Sequence, residues 1–185
     1  GDIESLYDFP FFIAAGIICG LISIIYMRGL THPKFFPDIS KIKAVLQPAI
    51  AGLICGLVSL YLPQVIGLGT ESIREMIEGN INLQYAIYFL IFKLLLTVIC
   101  LRMGLIGGVF APALFIGASI GVILGFFFQQ INPELDLNLL TVASMSAFAS
   151  CVIGGPVANM MIILELTSDY EATLVAGLSI VFASL

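Results

Sequence analysis

Charged side chains are scarce in this sequence, and tryptophan is absent. Lys and Arg number 7 and Asp and Glu 12, so only 10% of the 185 residues are charged, whereas 60% are hydrophobic. Soluble domains carry about 25% charged residues. With a mean hydropathy of +1.13, the composition excludes an ordinary soluble domain and predicts a membrane protein. The net charge of -5 argues against a nucleic-acid partner.

Residues that carry out catalysis or bind metals are equally scarce. The single histidine, His32, lies next to Pro33 in a polar stretch, and no H-E-x-x-H motif is present. An enzyme inside the membrane needs a nucleophile with a base, or a metal cluster. The four cysteines fall in apolar segments without a C-x-x-C pair, which indicates packing residues, not metal ligands or disulfides. We therefore expect no catalysis, no metal and no cofactor.

The most informative stretch is Gly104 to Gly125, at the start of a run that has no charge up to Pro133. Pro112 favours the first turn of a helix, and small residues recur every fourth position along it, at Gly117, Gly121 and Gly125. Gly107 and Gly108 are expected to let the backbone turn sharply and a ligand come close.

A helix that begins here leaves backbone N–H groups without partners. These are predicted on Gly108, Val109, Phe110 and Ala111. Such groups lie at the positive end of the helix dipole, where they form an anion site without a charged side chain. Inside a membrane they are costly unless a ligand satisfies them. An anion is the simplest ligand that does so.

The same residues resemble a known family. Gly108 to Pro112 (GVFAP) fits the G-x-F-x-P signature of the CLC chloride channels and chloride/proton antiporters. Lys93-x-x-x-Thr97 and Gly104 precede the signature at a similar spacing. The segment from Gly154 to Tyr170 resembles the proline-containing helix of the family that ends in Glu-x-Thr. One short pattern is weak, but these pieces in this order are specific.

This resemblance implies a site and a transported ion. The amides of Val109 and Phe110 would bind chloride, supported by Gly104, Gly107 and Pro112. A fluoride-exporting subgroup typically has a glutamate at the position of Val109, so the valine favours chloride. Alternatives are a transporter of nitrate or fluoride, or an unrelated secondary transporter built from broken helices.

The resemblance also implies an architecture: an all-α multi-pass membrane protein with broken and tilted helices, one half of an inverted repeat. Residues 1–185 would be the C-terminal half of a CLC-type membrane domain, cut from a longer chain. The parent would be a voltage-gated channel or an antiporter that also moves protons, located in a plasma or inner membrane. It would be a homodimer in the lipid bilayer, paired through residues 9–27, 156–167 and 172–185.

Two charged residues within apolar segments leave two interpretations open. Lys93 lies either near the anion path or in a structural role, in which it snorkels to the interface or meets carbonyl groups at a helix end. Glu165 either relays a proton or has a structural role, in which it reaches the interface or caps the loop after its helix. We favour the structural interpretation for both. The repeated Gly-x-x-x-Gly of Gly16/Gly20 and Gly52/Gly56 predicts close helix contacts.

Hydropathy, glycine and proline together predict the order of the helices. The expected segments are 9–27, 44–62, 71–78 capped by Thr70, 83–103, 110–129, 139–152, 156–167 and 172–185.

Overall fold

The computed structural model describes residues 8–31, 45–167 and 170–184. Within these ranges the chain is helical and contains no β-strand. The elements are α1 (Phe9–Thr31), α2 (Gln47–Ser59), a 3₁₀ turn (Pro63–Val65), α3 (Thr70–Ile77), α4 (Leu83–Arg102), α5 (Phe110–Phe128), α6 (Leu137–Ile153), α7 (Pro156–Thr167) and α8 (Tyr170–Ser184). The all-α prediction is confirmed.

Three of these helices, α1, α4 and α5, are long and apolar enough to cross a membrane. The others are shorter than about 18 residues, the minimum for a candidate spanning helix. Gly154 and Pro156 separate α6 from α7 as the sequence predicted. Broken helices of unequal length are typical of transporters, whose binding sites lie between half-helices.

Several predicted details of the helices are wrong. The first helix continues through Arg28 to Thr31. The second is only 13 residues long, because Pro48 lies in its first turn and Pro63 begins a separate 3₁₀ turn. Thr70 does not cap α3 but is its first helical residue.

The cap of α3 is Gly69, with φ +69°. A further error concerns α6, which begins earlier than expected because the Asp136 carboxylate accepts hydrogen bonds from the amides of Asn138 and Leu139. His32, with its loop, lies outside the described residues.

Helix α6 forms the centre of the fold. Every residue from Leu139 to Ser150 is buried, and the helix contacts α1, α5 and α8. A continuously buried helix has no amphipathic face, which explains its lack of a 3.6-residue hydrophobic pattern. This central position makes α6 the support on which α5 rests.

Glycines allow α5 to pack closely against α6. A Cβ atom on Gly117 would lie 2.6 Å from Met145 Cα, and one on Gly121 would lie 2.6 Å from Thr141 Cα. These pairs run in opposite directions along the two helices, which are therefore antiparallel. The small residues at four-residue intervals thus let the two backbones approach.

The repeated glycine pattern has two different outcomes. On α1, Gly16 and Gly20 face the backbone of Ser179 and Ala183 in α8, as the pattern predicted. On α2, neither Gly52 nor Gly56 has a neighbour within 4 Å of its Cβ position in the described part of the chain. The expected close contact is absent there.

Candidate functional site at the start of α5

The first residue of α5 is Phe110, preceded by Val109 as N-cap with φ −90° and ψ −15°. No side chain caps this end. Pro112 occupies the third helical position, where its missing N–H would have no intrahelical partner, and the first intrahelical bond runs from the Ala113 amide to the Val109 carbonyl, at 3.0 Å. The first turn is therefore open on its amide side.

The amides ahead of that bond have no acceptor among the described residues. They belong to the four residues predicted to form the anion site. Gly108 is exposed, whereas Val109, Phe110 and Ala111 are half-buried. The backbone thus presents several donors together at the positive end of a 19-residue helix.

The turn that leads into this site is made at Gly104, not at Gly107 and Gly108. Gly104 has φ +83°, and neither of the other two has positive φ. The amide of Gly104 donates to Leu101 O at 3.3 Å, and that of Leu105 donates to Cys100 O at 3.0 Å. These two bonds form a Schellman motif, which ends α4 and requires a left-handed residue. The predicted turn at Gly107 and Gly108 is wrong.

Gly107 and Gly108 instead leave space beside the site. A Cβ atom on Gly108 would have no neighbour within 4 Å, and one on Gly107 would meet only Leu101 Cδ2, at 3.8 Å. Packing within the described chain therefore does not demand glycine here. Their close-approach role, predicted from sequence, is compatible with this open space.

A cavity of about 360 Å³ adjoins the start of α5. Its wall includes Gly107, Gly108 and Pro112 from the motif, and Lys93 from α4. Among the residues that the structure describes, Lys93 is the only charged one in the cavity wall, and no carboxylate lines it. Val109, Phe110 and Ala111 are not among the residues that line it. The only side-chain charge that the described residues bring to this cavity is therefore positive.

Lys93 is nearly inaccessible, with 4% of its surface exposed. Its Nζ donates to Val65 O and to Gly67 O, both at 2.7 Å, and lies 4.9 Å from the centroid of the Phe115 ring. These are the carbonyl contacts that the structural interpretation expected. No carboxylate neutralises the ammonium in the described chain, so its charge still acts on the cavity. A role near an anion path stays a prediction.

Glu165 is exposed near the end of α7 and does not line the cavity. The structure does not bring it together with the motif. Its predicted part in proton coupling stays a prediction.

The sequence of α5 also contains a pentapeptide that matches a catalytic motif. Gly117 to Gly121 reads G-A-S-I-G, which matches the G-x-S-x-G of serine hydrolases. In the structure Ser119 is fully buried in the middle of α5, and its hydroxyl donates to Phe115 O at 2.9 Å. A nucleophile elbow needs an exposed serine on a strand-to-helix turn. The pentapeptide here is a helix-packing element.

A second feature could not be found from local spacing. Cys55 of α2 and Cys100 of α4 are 45 positions apart, and their sulfurs lie 3.1 Å from each other in the wall of the cavity. All four cysteines are free thiols. No group of three or more His, Cys, Asp or Glu within the described ranges could hold a metal.

Comparison with known proteins decides the family. The model of the family described as voltage gated chloride channel matches residues 3–185. The chain belongs to the voltage-gated chloride channel family. It is a multi-pass integral membrane protein, in agreement with the apolar helices described above.

Two relatives come from Arabidopsis thaliana. The chain is 26% identical over 190 residues to the chloride channel protein CLC-f, and 28% identical over 193 residues to CLC-e. Each match covers 94% of this chain, but only 24% and 27% of the respective relative. The chain thus spans about a quarter of the length of these family members.

A solved structure shares the fold. It is the crystal structure of a slow cyanobacterial Cl⁻/H⁺ antiporter, with a TM-score of 0.85 and 24% sequence identity. The match covers 97% of this chain and 43% of the antiporter chain. The predicted CLC-type fold is confirmed. That residues 1–185 are the C-terminal half of a CLC membrane domain stays a prediction.

Proposed function

We propose that this chain forms part of a chloride pathway across a membrane, with the anion held by backbone amides of Gly108, Val109, Phe110 and Ala111. The observation that carries the proposal is the uncapped start of α5. Its amides have no acceptor in the described chain, and a cavity without carboxylates adjoins them. The chloride channel relatives and the solved antiporter support the choice of ion.

Electrostatics favours an anion at this position. The aligned peptide dipoles of α5 amount to about half a positive charge at its first turn. The buried ammonium of Lys93, bonded only to carbonyl oxygens, adds positive potential in the same cavity. Since Lys93 is already hydrogen-bonded, it attracts the ion without forming a tight ion pair.

Moderate attraction suits transport better than tight binding does. Conduction requires a site favourable enough to be entered and weak enough to be left. A helix end provides partial charges and directional donors instead of a full countercharge at contact distance. The function therefore needs no cofactor and no catalytic group, and a protonatable partner enters only in an antiporter.

A homodimer is part of the same proposal. Apolar side chains of α1, α7 and α8 are exposed, including Leu21, Met161 and Leu174 at 59%, 64% and 67%. These are the helices that the resemblance assigned to pairing, 9–27, 156–167 and 172–185. A second copy would cover such faces by van der Waals packing in lipid.

The test compares Val109→Glu with Val109→Gln in the full-length parent. The glutamate places a carboxylate beside the amides, where at about 4 Å it repels chloride by about 4 kcal/mol for an effective dielectric near 20. The glutamine has nearly the same size without the charge. Chloride binding by calorimetry and chloride, nitrate and fluoride flux into liposomes are measured for both.

We expect Val109→Glu to abolish chloride binding and Val109→Gln to retain most of it. Equal chloride affinity in Val109→Glu and the wild type would place the site elsewhere. If the wild type moves nitrate or fluoride but not chloride, the proposed amide site stands but the transported ion is not chloride.

A further inference from the structure

The two cysteines that meet beside the cavity lie on different helices. Cys55 belongs to α2 and Cys100 to α4, and both side chains are half-buried. Their sulfurs are 3.1 Å apart, and both residues line the cavity next to the start of α5. The two thiols thus share one partly accessible space.

We propose that Cys55 and Cys100 are an oxidisable thiol pair, whose disulfide fixes α2 against α4 and restricts the cavity. The pairing itself is independent of what the protein transports. Its effect on anion movement rests on the proposed function.

The two sulfurs already lie close to bonding distance. A disulfide has an S–S distance of about 2.05 Å, so the sulfurs must approach by about 1 Å. The other two thiols have different partners. Cys19 donates to Ser144 O at 3.4 Å and Cys151 to Ala183 O at 3.2 Å.

The reaction needs a two-electron oxidant, for which a diazenedicarboxamide or a peroxide serves. With the diazenedicarboxamide, one thiolate adds to the N=N bond and the second displaces it, forming the S–S bond. Two protons and two electrons end on the reagent as a hydrazine. With a peroxide, one sulfur becomes a sulfenic acid and condenses with the other thiol, releasing water. Thiols reverse either product by exchange.

Helix α2 is the element that such a bond would constrain most. Ala51 is its only buried residue, and Leu53 and Leu57 are 63% and 55% exposed. Among the described residues, Gly52 and Gly56 have no neighbour within 4 Å of their Cβ positions. A helix with so few packed contacts in the described chain is held there weakly, so a covalent link changes its freedom more than that of a core helix.

The 3₁₀ turn transmits the constraint toward the charge in the cavity. It follows α2 directly and contains Val65, whose carbonyl accepts a hydrogen bond from Lys93. Cys100 and Lys93 both lie on α4. The disulfide therefore closes a ring of contacts from α2 through Val65 and Lys93 back to α4.

The experiment uses the full-length parent in liposomes, treated with a diazenedicarboxamide, blocked with N-ethylmaleimide, denatured and digested with trypsin. Cleavage after Lys43, Arg74, Lys93 and Arg102 places Cys55 in peptide 44–74 and Cys100 in peptide 94–102. We expect a linked pair whose mass is the sum of the two peptides less two hydrogen atoms. Oxidised liposomes should lose chloride flux, and dithiothreitol should restore it.

Serine variants make the test specific. Cys55→Ser and Cys100→Ser should each abolish the linked peptide. Each should also abolish the loss of chloride flux on oxidation, measured against the untreated sample of the same variant. Cys151→Ser should keep both. Failure of the wild type to form the linked peptide would overturn the proposal. A linked peptide that forms while the chloride flux stays unchanged would also overturn the proposal. If the reduced protein carries no anion at all, the proposed function fails, while the mass measurement still decides the pairing.

Discussion

The Lys93 ammonium of α4 donates to the carbonyl oxygen of Gly67 at 2.7 Å, across 26 positions of sequence. A second bond to Val65 at the same distance completes the arrangement. One buried lysine thus holds the segment between α2 and α3 against α4, and it does so beside the start of α5.

Replacement of Lys93 by methionine should affect both stability and anion binding. Methionine fills similar space but leaves the buried Val65 carbonyl without a donor, at a cost of about 1–3 kcal/mol. It also removes the positive charge of the cavity. We expect a lower melting temperature of the full-length protein and weaker chloride binding, measured by thermal unfolding in detergent and by calorimetry.

The control for that variant is Lys93→Arg, which keeps the charge. If chloride affinity falls equally in both variants, the positive charge is not what attracts the anion. Unchanged stability of Lys93→Met would contradict the anchoring role of the two carbonyl contacts.

Alanine at Gly121 should destabilise the contact between α5 and α6. Its Cβ atom would lie 2.6 Å from Thr141 Cα, so the helices must separate, and overpacking of this kind costs about 1–3 kcal/mol. The matched variant is Gly52→Ala, because no atom of the described residues lies within 4 Å of that Cβ position. Gly52→Ala should leave the free energy of unfolding unchanged or raise it by about 0.5–1 kcal/mol, because alanine loses less backbone entropy on folding than glycine does.

Thermal unfolding of the two variants in one detergent decides this prediction. A Gly121→Ala protein as stable as Gly52→Ala would show that the close contact of the two helices is not required.

Phe110→Ala should weaken chloride binding without abolishing it. The backbone amide of residue 110 remains, but the variant lacks the phenylalanine ring that packs against the hydrophobic core. The first turn of α5 then becomes less rigid, which loosens the positioning of the donors. Calorimetry should show a partial loss of affinity, smaller than that of Val109→Glu, whereas Pro112→Ala and His32→Ala should be mild or silent. Complete loss in Phe110→Ala would mean that the ring itself is essential to the site.

Arginine at Leu174 should weaken the proposed homodimer. This residue of α8 is 67% exposed, and a charge in an apolar interface inside lipid costs several kcal/mol, about 2.5–3.5 at a helix centre. Cross-linking of the full-length protein in membranes should give less dimer for Leu174→Arg than for wild type. The comparison variant Ile87→Arg changes an exposed residue of α4 and should leave the dimer intact. Equal cross-linking of both variants would exclude α8 from the interface.

The sequence predicted helices best where glycine or proline set their limits. Pro112, Pro156 and Gly154 mark ends that the structure reproduces. The start of α6 was missed because its cap, Asp136, lies inside a polar stretch that reads as loop. Side-chain capping depends on local geometry that hydropathy does not measure.

The position of the candidate site could be predicted from the sequence, but the residues that surround it could not. The motif itself predicts a helix start, because proline and glycine act on the backbone conformation locally. The contacts of Lys93 with Val65 and Gly67, and of Cys55 with Cys100, join residues 26 to 45 positions apart. Such contacts follow from how helices pack, which no short pattern contains.

The close packing of α5 against α6 limits how the candidate site can move. Gly117 lies seven positions beyond Phe110, about 10 Å along the helix axis at 1.5 Å per residue. With Met145 and Thr141 seated on Gly117 and Gly121, α5 cannot slide by small steps, because each residue it advances brings a side chain against the α6 backbone. The position of its first turn relative to α6 is therefore fixed from its far end. If the proposed pathway opens and closes, we expect the movement in elements that pack less closely in the described chain, such as α2, and not in the backbone donors of α5.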